Sequence, residues 1–120
     1  MQVFYERHLC RVPWPDFVSR SFAQITADPT VYHTMNGPSE FHCIGTLKTW
    51  DITDRLHEIT TPTLLISGRF DEATPATVQP YFDGIRDARW EILEHSSHMP
   101  FLEEPERFDE VVTGFLAAND

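Results

Sequence analysis

The chain has 120 residues, of which 41% are hydrophobic and 12% aromatic, so it is long enough for one domain with a modest core. Its net charge of −10 argues against nucleic acid and against an anionic membrane surface as partners. Two cysteines, Cys10 and Cys43, are too few for a disulfide framework, and we expect both to be reduced and buried. No apolar run is long enough to span a membrane and the N-terminus has no signal-peptide core, which predicts a cytoplasmic protein.

Residues 1–60 mix aromatics, histidines and prolines and predict a small helical layer. An amphipathic helix is expected within residues 13–26, where apolar side chains recur near helical spacing, at Phe17, Val18, Phe22 and Ile25. Residues 36–41, NGPSEF, have the composition of a turn, and residues 53–59 predict a short helix capped by Thr53 or Asp54.

Residues 61–120 alternate strand and helix patterns. Strands are expected at residues 62–67 and 89–94. One helix should start at Thr74 and be shortened or kinked by Pro80, and another should cover residues 105–118, with apolar positions Phe108, Val111, Val112, Phe115 and Leu116. Strand, helix, strand, helix predicts parallel strands joined by right-handed crossovers, the arrangement of an α/β fold.

Two parallel strands make a poor domain, because a parallel sheet needs more strands and helices on both faces. We therefore expect the chain to be a piece of a larger α/β sheet whose earlier strands are absent. Residues 1–60 would be the end of a helical cap, and residues 61–120 the end of the core.

Asp71 and His98 each come shortly after a predicted strand, in SGRFDEATP and EHSSHMPFLEEP. The carboxyl ends of neighbouring parallel strands lie at one edge of the sheet, so the two side chains should meet there. An aspartate that accepts a hydrogen bond from one imidazole nitrogen leaves the other free to act as a general base. Acid before histidine is the order of the serine, acid, histidine triads of α/β-hydrolases.

The nucleophile of such a triad would lie on a G-x-S-x-G turn before both residues, and the sequence contains no such motif. GPSEF, residues 37–41, is the nearest string, but it lacks the final glycine and is not preceded by a strand, so Ser39 is not expected to be the nucleophile. The nucleophile should therefore belong to a missing N-terminal half.

Each candidate also has a purely structural interpretation. Asp71 could cap the helix that starts at Thr74, since acids are favoured near helix N-termini. Glu40 and Glu72 could be solvated acids, and the string EEPE, residues 103–106, is expected to be a solvated helix start. His95 and His98 have the spacing of a metal pair, but no third ligand is evident, and we expect no metal.

Four stretches together resemble the C-terminal part of proline iminopeptidases, of the α/β-hydrolase superfamily. They are VYHTMNGPSEF, GTLKTWDITDRLHEITTPTLL, SGRFDEATP and EHSSHMPFLEEPERF. The resemblance implies that Asp71 is the triad acid and His98 the triad base. It also implies that Glu40 and Glu72 bind the α-amino group of the substrate, a peptide with a free N-terminal proline. No cofactor is implied.

Two alternatives stay open. One is an amino-acid amidase or esterase with the same triad and the same amine-binding acids. The other is a truncated, catalytically inactive fragment.

Overall fold

The computed structural model describes residues 2–120, and the chain divides into two compact units. One unit comprises Met1–Pro13 and Thr53–Asp120, and the other comprises Trp14–Ile52. These units do not match the expected division at residue 60. The assignment of residues 1–60 to a cap and 61–120 to a core concerns the complete fold and stays a prediction.

The first unit is built on two parallel strands, β1 (Thr63–Gly68) and β2 (Ala88–Leu93). Both lie within one residue of the predicted ranges. Thr63 is paired with Ala88 and Gly68 with Leu93, so the two strands end level with each other. The loops that leave the two strands therefore start at the same edge of the sheet.

Helix α4 (Pro75–Gly84) connects the two strands and begins, as predicted, directly after Thr74. The helix was expected to be shortened or kinked at Pro80; it continues through this residue, so it is not shortened there, and the kink stays a prediction. Proline in a helix interior removes one i to i−4 hydrogen bond, and α4 continues past Pro80 without it. The predicted short helix after Thr53 is a 3-10 helix, Thr53–Glu58, whose Leu56 is buried near α4.

Three further helices belong to this unit. Helix α6 (Pro105–Ala118) has the predicted bounds, and its Val111 is buried. Helices α1 (Gln2–His8) and α5 (Pro100–Glu103) were not predicted, because segments of seven and four residues carry too little periodicity to be recognised.

The second unit contains α2 (Asp16–Ala27), α3 (Thr30–Met35) and a 3-10 helix, Thr46–Thr49. Helix α2 confirms the predicted amphipathic helix, yet of its apolar positions only Val18 is buried. The turn predicted at residues 36–41 depends on Gly37, whose φ of +128° is unfavourable for other residues. A Cβ atom there would also lie 2.3 Å from the carbonyl oxygen of His42.

The cysteines differ from each other. Cys10 is buried and Cys43 is exposed, both as free thiols, so the expectation of burial is wrong for Cys43. In the part of the chain that is described, no helix combines the length and the apolar character needed to cross a bilayer.

Candidate active site

Asp71 and His98 meet at the carboxyl edge of the two strands. The Nδ1 atom of His98 donates a hydrogen bond to Oδ1 of Asp71 at 2.9 Å, which confirms the predicted proximity. The Asp71 side chain is only 7% exposed, whereas the His98 side chain is 46% exposed. With Nδ1 engaged by the acid, Nε2 is the nitrogen that can accept and return a proton.

The surroundings of His98 favour its protonated form. The hydrogen bond to Asp71 raises the pKa of His98, and the negative charges of Asp71, Glu72 and Glu103 raise it further. Partial burial acts in the opposite direction but does not cancel these effects. An imidazolium formed when the ring takes up a proton is thus stabilised by three carboxylates.

Asp71 also shapes its own loop, because its Oδ1 accepts a hydrogen bond from the amide of Ala73 at 2.8 Å. Ala73 precedes α4, whose N-cap position is Thr74, so this contact orders the loop rather than capping the helix. The expectation that Asp71 caps the helix is therefore wrong, and its hydrogen bond within the loop coexists with the contact to His98.

The loops after β1 and β2 approach each other closely at Gly68. A Cβ atom at this position would lie 2.1 Å from the carbonyl oxygen of Ser97 and 2.4 Å from that of Ser96. The amide of Phe70 donates to the Ser96 carbonyl oxygen at 3.0 Å, which joins the two loops through the backbone. Only glycine permits this separation.

Two glutamates hold the loop that carries His98. Oε2 of Glu104 accepts hydrogen bonds from the His95 amide at 3.0 Å and the Ser96 hydroxyl at 2.5 Å. Glu103 accepts from the Ser97 hydroxyl at 2.6 Å and the Ser97 amide at 2.9 Å. The interpretation of residues 103–106 as solvated acids is thus wrong for Glu103 and Glu104, which satisfy the donors of two fully buried serines.

Residues at and just after the end of α1 contact the loop after β1 and Glu103 of α5. The Glu72 amide donates to the His8 carbonyl oxygen at 3.1 Å, and Nδ1 of His8 donates to the Phe70 carbonyl oxygen at 2.8 Å. The Arg11 guanidinium lies over the Phe70 ring, 3.7 Å from its centroid, and the Arg11 amide donates to Glu103 at 2.8 Å. We call residues 8–11 the clasp.

The two acids expected to bind an amine lie in different units. Glu72 comes directly after Asp71, and its Oε2 atom is buried. Glu40 is exposed, lies in the turn of the second unit and accepts a hydrogen bond from the Tyr32 hydroxyl at 3.0 Å. Partial burial and the Glu40 carboxylate raise the pKa of Tyr32, whose hydroxyl also accepts from the Asn36 side chain at 3.1 Å.

The geometry does not indicate a metal centre. Within residues 2–120, no three His, Cys, Asp or Glu side chains are grouped so that they could hold a metal ion. His98, the second member of the H-x-x-H pair, makes its contact with Asp71 instead.

No family model matches the chain. It is, however, 43% identical over 114 residues to the proline iminopeptidase of Saccharolobus solfataricus, an alignment that covers 94% of this chain and 36% of that protein. It is 46% identical over 86 residues to the proline iminopeptidase of Heyndrickxia coagulans, an alignment that covers 72% of this chain and 30% of that protein. Among solved structures, the Mycobacterium smegmatis proline iminopeptidase superimposes with a TM-score of 0.93 at 51% identity, covering 98% of this chain and 40% of that one.

The chain belongs to the proline iminopeptidase family. A second solved structure, that of VinJ, superimposes on this chain with a TM-score of 0.94 at 55% identity. The match covers 100% of this chain and 41% of VinJ. These similarities confirm the predicted fold class, the C-terminal portion of an α/β-hydrolase. The chain spans only 30% to 36% of the length of the two curated relatives named above.

The sequence predicted the Asp71–His98 pair but missed the residues that hold it in place. Glu103, Glu104 and the clasp have no recognisable motif, since acids near a helix start are usually solvated. A usable signal for the two glutamates was the density of hydrogen-bond donors in the loop that precedes them. The loop from His95 to Met99 presents several amides and two serine hydroxyls in five residues, and buried donors of that kind need acceptors.

Proposed function

We propose that this chain supplies the acid and the base of a serine aminopeptidase that releases N-terminal proline from peptides. Asp71 orients His98, and His98 takes the proton from a serine hydroxyl and returns it to the leaving amine. The serine lies outside this sequence, which contains no G-x-S-x-G motif. The whole protein would act in the cytoplasm and without a cofactor.

The observation that carries the proposal is the contact between Asp71 and His98. A buried carboxylate at 2.9 Å from Nδ1 fixes the tautomer that a general base needs, and the side chain of His98 is itself half-exposed. Similarity to proline iminopeptidases over 94% of the chain supports the same assignment.

Glu72 and Glu40 are proposed to bind the α-ammonium group of the substrate. A charged amine that leaves water needs carboxylates close to it, and such acids would favour substrates with a free N-terminus. For Glu72 the support is its position beside Asp71 and the burial of its Oε2 atom. For Glu40 the support is the family resemblance of the turn NGPSEF.

The test is a hybrid enzyme in which this chain replaces the matched segment of the Mycobacterium smegmatis proline iminopeptidase. The high identity and TM-score make this exchange structurally conservative. We expect the hybrid to hydrolyse a prolyl chromogenic amide, and His98→Ala to abolish that activity. His95→Ala is the matched control, because the exposed His95 lies in the same loop and has no role in the proposed mechanism.

The isolated chain of 120 residues should show no turnover of the prolyl amide. Turnover by the purified chain, removed by His98→Ala, would contradict the proposal that the nucleophile lies elsewhere. A folded hybrid that keeps full activity after His98→Ala would contradict the role of His98.

Ester hydrolysis on the same scaffold is the second candidate. The solved structure of Est816, described as an N-acyl homoserine lactone degrading enzyme, matches 83% of this chain with a TM-score of 0.54 at 28% identity. An activated ester without an α-amine, assayed beside the prolyl amide, distinguishes the two. A hybrid much more active on the ester, and insensitive to Glu72→Gln on both substrates, would favour the esterase.

A further inference from the structure

We propose that Glu103 is a positioning residue, which ties the loop of His98 to the clasp so that the imidazole meets Asp71. This inference rests on the proposed function of His98 and adds a residue to which no role has been assigned.

The hydrogen bonds of Glu103 lie on both sides of His98. Oε2 accepts from the amide of Ser97 at 2.9 Å and from the amide of Met99 at 3.2 Å. Holding the amides before and after one residue restricts the backbone from which its side chain projects. Oε1 accepts from the Ser97 hydroxyl at 2.6 Å, so one carboxylate fixes this part of the loop.

The fourth hydrogen bond of Glu103 reaches the clasp, where Oε1 accepts from the Arg11 amide at 2.8 Å. Three residues earlier, His8 contacts the residues on either side of Asp71, through the Phe70 carbonyl oxygen and the Glu72 amide. The residues on either side of Asp71 are thus bound to His8, at one end of the clasp. The residues on either side of His98 are bound through Glu103 to Arg11, at the other end. Together they set the relative position of the two loops.

Glu104 provides an internal comparison. Its carboxylate accepts from the His95 amide and the Ser96 hydroxyl, both on the N-terminal side of His98. These hydrogen bonds do not span His98, and Glu104 is not among the acids whose charge raises the pKa of His98, namely Asp71, Glu72 and Glu103. Removal of either charge should weaken the loop, but only Glu103 should alter His98 itself.

The first test compares Glu103→Gln, Glu103→Asp and Glu104→Gln in the hybrid enzyme, with Glu106→Gln as the control at an exposed position of α6. Glutamine keeps the size of the side chain but loses the charge and one acceptor atom, so kcat/KM should fall roughly 10- to 100-fold. The prolyl amide and the amine-free ester should be affected equally, because Glu103 acts through His98. The acid limb of the pH profile should move to lower pH, since a charge that raises the pKa of His98 is removed.

The other variants separate positioning from stability. Glu104→Gln should lower the melting temperature about as much as Glu103→Gln while leaving the acid limb in place. Glu103→Asp keeps the charge on a shorter side chain, so it should restore the acid limb but not the rate. If Glu103→Gln fails to fold, the test uses Glu103→Asp instead, for which a lowered rate with the acid limb unmoved is the expected result. An unshifted acid limb in Glu103→Gln, or an equal shift in Glu104→Gln, would overturn the proposal.

A second measurement needs no turnover and therefore remains informative if the proposed function is wrong. The His98 ring is titrated by NMR in the 120-residue chain and in the hybrid, with its signal assigned from His98→Gln. We expect the midpoint to fall in Glu103→Gln and to stay unchanged in Glu104→Gln and Glu106→Gln. The same midpoint in all of these variants would refute the inference, whereas a hybrid that is inactive on prolyl substrates but shows the expected shift would refute only the proposed function.

Discussion

Gly68→Ala is the substitution for which the structure gives the sharpest expectation. The added Cβ would lie 2.1 Å from the Ser97 carbonyl oxygen, a separation that must open to at least 3.0 Å. Both partners are backbone atoms, and the fully buried Ser97 cannot turn aside as a flexible side chain would. The loop that carries His98 must therefore move by roughly 1 Å.

That displacement is large enough to break the hydrogen bond between His98 and Asp71. His98 comes directly after Ser97, and its Nδ1 lies 2.9 Å from Asp71, so passing on most of the shift would stretch the contact beyond hydrogen-bonding distance. A misplacement of about 1 Å at a catalytic group can cost on the order of 100-fold in rate. We expect that loss in kcat/KM of the hybrid enzyme, together with roughly 1–3 kcal/mol of lost stability from overpacking.

The assay combines hydrolysis of the prolyl amide with chemical denaturation of the same preparation. Gly114→Ala is the matched control, because a Cβ at this position of α6 meets no atom within 4 Å. In a helix interior it should raise the free energy of unfolding by about 0.5–1 kcal/mol and leave the rate unchanged. Full activity and unchanged stability in Gly68→Ala would show that the two loops are not packed as described.

Three further predictions concern the pair, the amine and the core. Asp71→Asn should reduce kcat of the hybrid by about 10⁴-fold and lower the pKa of His98, which NMR titration would show. Because the pKa of His98 is raised in the folded state, its ion pair with Asp71 stabilises the fold fully below the ordinary histidine pKa of about 6.5, and this stabilisation is lost as the pH rises through the raised pKa. Asp71→Asn should therefore be destabilised more at about pH 5 than at about pH 9, and equal destabilisation at both would contradict the ion pair. Glu40→Gln and Glu72→Gln should each lower kcat/KM on prolyl substrates by about one to two orders of magnitude while sparing an ester without an α-amine; equal loss on both substrates would show a structural role. Val111→Ala, at a side chain only 3% exposed, should cost roughly 1–3 kcal/mol in urea unfolding, and a loss below about 0.5 kcal/mol would place Val111 outside the core.

The parts of the fold that depend on local periodicity were predictable. Pro105 and the apolar spacing that follows it predicted the bounds of α6, and β1 and β2 were each misplaced by a single residue. The meeting of Asp71 with His98 was predictable for a different reason. It needs only two parallel strands that end level, and the alternation of strands and helices already implied them.

The supporting residues depend on contacts that no local pattern encodes. Whether Glu103 is solvated or hydrogen-bonded depends on the position of the clasp, because its partner Arg11 lies 92 residues earlier in the sequence. Helix α1 is too short to be recognised, so nothing indicated that residues 8–11 return to the sheet edge. Cys43 was expected to be buried from its residue type alone, which says nothing about the loop in which it lies.

The contacts described above that fix the Asp71–His98 pair lie within one unit, Met1–Pro13 with Thr53–Asp120. The register of β1 and β2 brings Gly68 and Leu93 level, the Phe70 amide joins the two loops, and Glu103 with the clasp holds their outer sides. Of the two acids proposed to bind the α-ammonium group, Glu72 belongs to this unit and Glu40 to the second. Substitutions in the first unit should therefore affect the hydrolysis of every substrate alike, with the amine-binding Glu72 as the exception, whereas substitutions around Glu40 should change only which substrates are preferred.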